Sequence, residues 1–308
     1  MAIITNNRWW VYQRERFPIL AHAPLVAAFS FSALCYSSLL RGDITLPLLM
    51  PALVAFVSAL LFFLLLRIAD EFKDFEDDCR YRPYRPVPRG LVTLNELAII
   101  AIAALLIQLV LALWLHTSLV IILLLVWCYL ALMSKEFFVH NWLKARPILY
   151  MLSHMLIMPL IDLYATACDW LVAGEGLPDG LYWFLLVSFF NGMVIEIGRK
   201  IRAPHDEEPG VETYTVLWGK QGAVFAWLMV LMLTTACALM AAWQIDFLLP
   251  AALLMTGLLF IAGILSLAFI KKASTQLAKK FELVSGLWTL LMYLSLGAVP
   301  LAWSVWSL

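Results

Sequence analysis

The chain has 308 residues, 64% of them hydrophobic and only 14% charged, with a formal net charge of zero. That balance excludes an ordinary soluble domain, which carries more charge and less apolar surface, and it gives no sign of a nucleic-acid partner. It describes a multi-pass integral membrane protein.

Nine apolar segments are long enough, or nearly so, to cross a hydrocarbon core about 30 Å thick. In chain order they cover 18–40, 46–69, 94–115, 117–134, 147–169, 181–198, 221–244, 247–270 and 283–306, the fourth and sixth being the shortest. Arg8, Arg14 and Arg16 precede the first run, which reads as an anchor rather than a cleaved signal. His116 and Gln244–Asp246 mark tight turns on one side, where 170–180 is the main excursion. The longer loops, 67–93 and 196–220, follow the second and sixth spans and so face the same side. Their spacing hints at a parallel repeat of about four helices.

Basic residues set the orientation. The N-terminal tail and the even-numbered loops hold 20 of the 21 Lys and Arg, and only Arg41 falls on the other side. The positive-inside rule then makes those loops and the N-terminus cytoplasmic, and nine spans carry the C-terminus across. A bacterial plasma membrane or its equivalent is the expected setting. Cys35, Cys79, Cys128, Cys168 and Cys237 are scattered, so neither a zinc site nor a disulfide framework is indicated.

The most informative stretch is DEFKDFEDDCRYRPYRPVPRG at 70–90. Asp70, Asp74 and Asp78 stand at i, i+4 and i+8, so on a helix they share one face. Six acids in the nine residues 70–78, beside a membrane span, exceed what solubility requires. Arg67 precedes them, and Arg80, Arg82, Arg85 and Arg89 follow. Carboxylates beside arginines point to a metal and a phosphate handled together. Magnesium suits such a set, because it binds through few carboxylates plus substrate phosphates. The competing reading is a solvated acidic helix end.

The second cluster runs from Glu196 to Gly210, with Arg199, Lys200, Arg202, His205, Asp206, Glu207 and Glu208. Glu196 either pairs with Arg199 and Lys200 along its own helix or helps hold a metal against the first cluster, with the nearby cations gripping a diphosphate. Lys135, at the end of the fourth span, is a further phosphate candidate, while Lys144 and Arg146 read as interface anchors. His154 and Asn191 lie inside spans and either line a cavity or make helix–helix hydrogen bonds. Asp162 sits too near the other side to join a metal site. Trp9, Trp10, Trp243, Trp303 and Trp306 read as interfacial belt residues.

The first cluster resembles the NDxxDxxxD signature of UbiA-type intramembrane prenyltransferases. Asp70 stands at the family's Asn position, Glu71 at its first Asp, and Asp74 and Asp78 match directly; RPVPRG at 85–90 matches the downstream RPxxxG element. The family's second signature resembles DxxxDxxxGxxTxxxxxG, and Asp206, Gly210, Thr213 and Gly219 fall on it in register. Arg202 replaces its first acid, with Glu196 the candidate to stand in. Lys135 resembles the family's basic residue on the fourth helix.

The resemblance implies an all-α membrane domain over residues 1–308, with nine transmembrane helices around a central cavity open to lipid. It implies Mg2+-dependent transfer of a prenyl group from a polyprenyl diphosphate to a small-molecule or lipid acceptor. Asp70, Asp74, Asp78 and Asp206 are then the catalytic set. They hold the metal together with Glu196, while Arg85, Lys135, Arg199, Lys200, Asn191 and His154 bind substrate. The departures at Asp70 and Arg202 leave room for an alternative, a UbiA-like terpene cyclase that ionises the diphosphate without an acceptor. A secondary transporter, motivated by Asp162, Glu196 and the possible repeat, is less favoured. Transporter sites lie near the membrane midplane, and these acids cluster at its edge.

Overall fold

The computed structural model describes residues 7–307. Fourteen α-helices and no strands are found among them. They are α1 (Arg8–Arg16), α2 (Ile19–Leu40), α3 (Leu49–Lys73), α4 (Phe75–Tyr81), α5 (Leu94–Leu115), α6 (Leu119–Ser134), α7 (His140–Lys144), α8 (Pro147–Met155), α9 (Ile157–Trp170), α10 (Leu181–Arg199), α11 (Tyr214–Gln244), α12 (Leu248–Lys271), α13 (Thr275–Leu296) and α14 (Ala298–Trp306). Eight segments are long and apolar enough to cross a membrane, counting α8–α9 and α13–α14 each as one, and α6 is a shorter ninth.

Two expected spans are broken where their prolines dictate. A proline lacks the amide proton and its ring crowds the carbonyl four residues back. Pro159 therefore ends α8 at Met155, and Pro300 ends α13 at Leu296. The seventh span begins earlier than its hydropathy indicates. Thr213 caps α11, its hydroxyl accepting from Val216 N at 3.2 Å, and the helix bends at Gly219 (φ +68°) before entering the long apolar run. Thr93 and Glu96 close a reciprocal capping box that starts α5.

Successive spans pack side by side and the ring closes where α13 meets α2. Their outer faces are greasy: on α5, Ile99, Ile102, Leu106, Val110 and Leu113 form one exposed stripe at helical spacing. The interior is filled at one end, where α9 packs on α2 and α3, and α10 on α13. Tyr293 joins that core, its hydroxyl 3.1 Å from both Asp162 Oδ2 and Ser188 Oγ. Asp162 is thus an interhelical hydrogen-bond acceptor, away from the acidic ladder.

The lone basic residue of the opposite side is neutralised in place. Arg41 donates to Asp169 at 2.9 and 3.1 Å and to Glu175 at 3.1 Å. The short helices α1, α4 and α7 all gather at the other end, where the loops 67–93 and 196–220 meet.

Candidate active site

The last turn of α3 and the start of α4 carry the acidic ladder, with the break between them at Asp74 (φ −93°, ψ 7°). The break separates the acids into two environments. Asp70 is 42% exposed, and its nearest cations are Arg67 Nη1 at 3.6 Å and Lys73 Nζ at 4.0 Å. Asp74 is half-buried beside it. Burial, reinforced by the charges of Asp70 and Asp78 against the opposing pull of Lys73 and Arg82, raises the Asp74 carboxyl above its ordinary pKa. Asp78 is buried and already charge-matched, with Arg82 Nη2 and Arg85 Nη1 each 2.7 Å from one of its oxygens. It anchors the Arg-Pro loop to α4. Glu71 turns the opposite way, into a buried ion pair with Arg16 of α1.

The opposing wall is the end of α10. Glu196 is held by Arg199 at 2.5 Å and Lys200 at 2.8 Å, the local pairing that its sequence spacing allows. Arg199 nevertheless lies close enough to Asp70 for their charges to interact across the gap. Asp206 is tied elsewhere: Thr275, at the start of α13, donates to its Oδ1 at 3.0 Å. Glu207 accepts from the hydroxyls of Thr213 and Thr215 at 2.6 to 2.8 Å and so braces the entry to α11.

The two motif loops are latched together. Tyr84 donates to Glu208 Oε2 at 3.1 Å, and Gly210 (φ +77°) lies against the Tyr81 ring. A Cβ at position 210 would stand 2.5 Å from Tyr81 Cδ1, so both its backbone conformation and the close approach select glycine.

Between α3, α5 and α6 runs an apolar cavity of about 680 Å³, lined by Leu65, Ile68, Ala101, Leu105 and Trp127 among others. Lys73 and Lys135 stand at its polar end. Lys73 is the hinge of the site. It donates to Tyr150 Oη at 2.8 Å and lies 4.0 Å from both Asp70 Oδ1 and Glu136 Oε1. Of the intramembrane residues, His154 stacks on Tyr150 within electrostatic reach of Lys73, Glu136 and Asp70. Asn191 is buried beside the Tyr293 hydroxyl.

Sequence reasoning passed over Lys73, Tyr150 and Glu136. An acid next to the end of an apolar run was a usable signal for Glu136; Tyr150 offered none.

Among the described residues no three His, Cys, Asp or Glu side chains form a preformed metal group. Asp70 and Asp74 still fit a hard divalent cation. Their closest cations stand at 3.6 Å or beyond or fail to offset burial, which leaves oxygen lone pairs available. A magnesium ion needs few protein oxygens when a phosphate supplies the rest. Asp78, Glu196 and Asp206 are already committed to Arg82 and Arg85, to Arg199 and Lys200, and to Thr275.

The UbiA prenyltransferase family profile matches residues 69–291. No curated protein sequence matches the chain. Solved structures share its architecture. A UbiA homologue from Aeropyrum pernix K1, in its apo form, superposes with a TM-score of 0.65 at 13% identity, covering 87% of this chain and 96% of that one. A structure of digeranylgeranylglyceryl phosphate synthase gives 0.57 at 16%, covering 93% and 99%. A UbiA homologue from Archaeoglobus fulgidus bound to DMAPP and Mg2+ gives 0.52 at 15%, covering 90% and 98%.

Proposed function

The chain belongs to the UbiA prenyltransferase family, and from that premise we propose that it transfers a prenyl group from a polyprenyl diphosphate to a small-molecule or lipid acceptor, with Mg2+, at an intramembrane site facing the cytoplasm. The observation that carries the reading is the charge arrangement at one end of the bundle. Asp70, whose nearest cations stand at 3.6 and 4.0 Å, lies within electrostatic reach of Arg199, half-buried Asp74 is beside it, and an apolar cavity leads away from Lys73 and Lys135.

Asp70 and Asp74 would hold the Mg2+, with Asp78 keeping their helix end in place through Arg82 and Arg85. When bound, the ion supplies charge neutralisation to the departing diphosphate. Arg199, Lys200, Lys73 and Lys135 add charge-assisted hydrogen bonds to its oxygens. Arg199 and Lys200 are held beforehand by Glu196 and Lys73 by Tyr150, so they stabilise charge where it develops. The apolar cavity takes the prenyl chain. It follows α3 from Lys73 to Leu65, about 12 Å at 1.5 Å per residue. Phe72 and Ile102 line it and are exposed on the lipid-facing side, so a longer chain can pass out into lipid. Its apolar walls exclude water from the allylic cation.

The residues act as one unit over the whole chain, with the N-terminus cytoplasmic, as the clustering of the basic loops around this end supports. The test is purified protein with Mg2+ and geranyl diphosphate, following diphosphate release and product mass. Release that needs Mg2+ and Asp74, with a prenylated acceptor as product, supports transfer. A cyclic hydrocarbon or alcohol formed without any acceptor identifies the cyclase instead, and no release in any condition removes both.

A further inference from the structure

The chain makes a sharp and costly turn directly after α6. Glu136, Phe137 and Phe138 have φ of +46°, +53° and +61°, left-handed values that residues bearing a Cβ avoid, in three consecutive positions without a glycine. Such strain persists only where surrounding structure enforces it, and it concentrates at functional sites. The consequence of this turn is to fold Glu136 inward. It is 5% exposed, directly after Lys135, which lines the polar end of the cavity.

What surrounds Glu136 is arranged for chemistry rather than for anchoring. Lys73 Nζ, 4.0 Å away, joins it to the acidic ladder through Asp70. Tyr150 donates to Glu136 Oε1 at 3.3 Å while accepting from Lys73. Oε2 faces Nδ1 of His140, a side chain 57% exposed, so the buried carboxylate touches a group in contact with solvent. His154, 9% exposed, stacks on Tyr150 with ring centroids 3.9 Å apart. Its Nδ1 lies 2.8 Å from the Tyr150 carbonyl, which can only accept, so Nδ1 carries the proton. In the neutral ring Nε2 then offers a lone pair, and that atom is buried without a partner among the described residues. A carboxylate and an imidazole lone pair therefore look for a hydrogen-bond donor at the edge of the proposed diphosphate site.

Resting on the prenyl-transfer reading, we infer that Glu136, Tyr150 and His154 form the binding site of a hydroxyl-bearing acceptor, and that Glu136 takes the acceptor's proton and passes it to His140. The step balances. The C1–O bond of the prenyl diphosphate breaks and its electron pair leaves with the diphosphate. A lone pair on the acceptor oxygen forms the new bond to C1. The O–H proton moves to the Glu136 carboxylate, then to the His140 imidazole, and leaves to water. Prenyl alcohol, formed when the cation is captured by water outside the apolar cavity, needs no such residue, because bulk water removes its proton.

The experiment uses full-length protein in lipid nanodiscs with Mg2+, geranyl diphosphate and a panel of phenols and long-chain alcohols. It reads the ratio of prenylated acceptor to prenyl alcohol. Glu136→Gln should lower that ratio at least tenfold. In Glu136→Ala, added formate should restore it, and in His140→Ala, added imidazole should do the same. Neither rescue follows from a purely structural role. Asp74→Asn should instead reduce both products together. An unchanged ratio in Glu136→Gln, or an absence of rescue by formate, overturns the assignment of Glu136 while leaving prenyl transfer standing. Wild-type protein that releases diphosphate but prenylates no hydroxyl in the panel overturns the acceptor class. Wild-type protein that releases no diphosphate removes the underlying reading and this one with it.

Discussion

Asp74→Asn separates a metal-holding carboxylate from a merely acidic helix end, because the two make opposite demands on stability. Asp74 is half-buried, and burial together with Asp70 and Asp78 raises its pKa. A carboxyl with a raised folded pKa favours the fold in its protonated form. Its ionised form therefore costs stability as pH climbs from the ordinary carboxylate range through the folded value, and the cost persists above it. Without Mg2+ at neutral pH, the neutral amide should be as stable as wild type or more so. A cation that binds only the folded, ionised site reverses this. At 100 times its dissociation constant it contributes about 2.7 kcal/mol, which at about 2–4 °C per kcal/mol is a rise of roughly 5–10 °C in Tm. Tryptophan fluorescence during heating, with and without Mg2+, reads the shift. It should appear in wild type at neutral pH, shrink on acidification as Asp74 is protonated, and fall below a third of its size in Asp74→Asn. Diphosphate release should drop by about 100-fold or more, the usual cost of removing a group that stabilises transition-state charge. A full Mg2+ shift in Asp74→Asn would refute the assignment.

Three further outcomes follow from the packing. Arg16→Ala strands Glu71, whose side chain is 1% exposed, and should cost about 3–5 kcal/mol, seen as a lowered Tm; the double variant R16M/E71M should recover most of it. Tyr84→Phe removes the exposed latch to Glu208 and should cost no more than about 1 kcal/mol of stability, yet hydrogen exchange in 80–92 and 204–212 should quicken. Ala101→Trp fills the cavity between α3, α5 and α6. It should discriminate against geranylgeranyl relative to dimethylallyl diphosphate by about tenfold or more in kcat/KM, a cost of about 1–3 kcal/mol for overpacking.

The spans and their alternation were legible because hydropathy and basic-loop charge are properties of the chain read in one dimension. Even the two breaks were written, in Pro159 and Pro300, though a hydropathy window passes over them. The acidic ladder was legible from its four-residue spacing. What the ladder does residue by residue was not. Glu71 differs from Asp70 by one position, but 100° of helix rotation sends it to Arg16, 55 residues away in the chain. Asp78 shares a face with Asp70 in a continuous helix, and the break at Asp74 instead delivers it to Arg82 and Arg85. The inward turn of Glu136 was hidden too, although its place beside an apolar run was not. Its burial depends on three left-handed residues at positions where nothing in the composition announces a turn.

The same geometry accounts for the departure at Arg202. The two walls of the gap are not equivalent. On the α3 side Asp70 has no cation nearer than 3.6 Å and burial raises the Asp74 pKa, whereas on the α10 side Glu196 is already bonded to both Arg199 and Lys200, and Asp206 accepts from Thr275. Arg202 extends that second wall's basic character, and its guanidinium lies 3.7 Å from Glu208, the residue Tyr84 latches. An acid at position 202 would stand beside Glu208 and weaken the clasp between the loops by like-charge repulsion. In this chain the acidic wall is therefore the one suited to a cation, and the basic wall the one suited to phosphate oxygens. Arg199 lies within electrostatic reach of Asp70, so a diphosphate between the walls would meet the basic wall through its own oxygens and the acidic wall only through a bound cation.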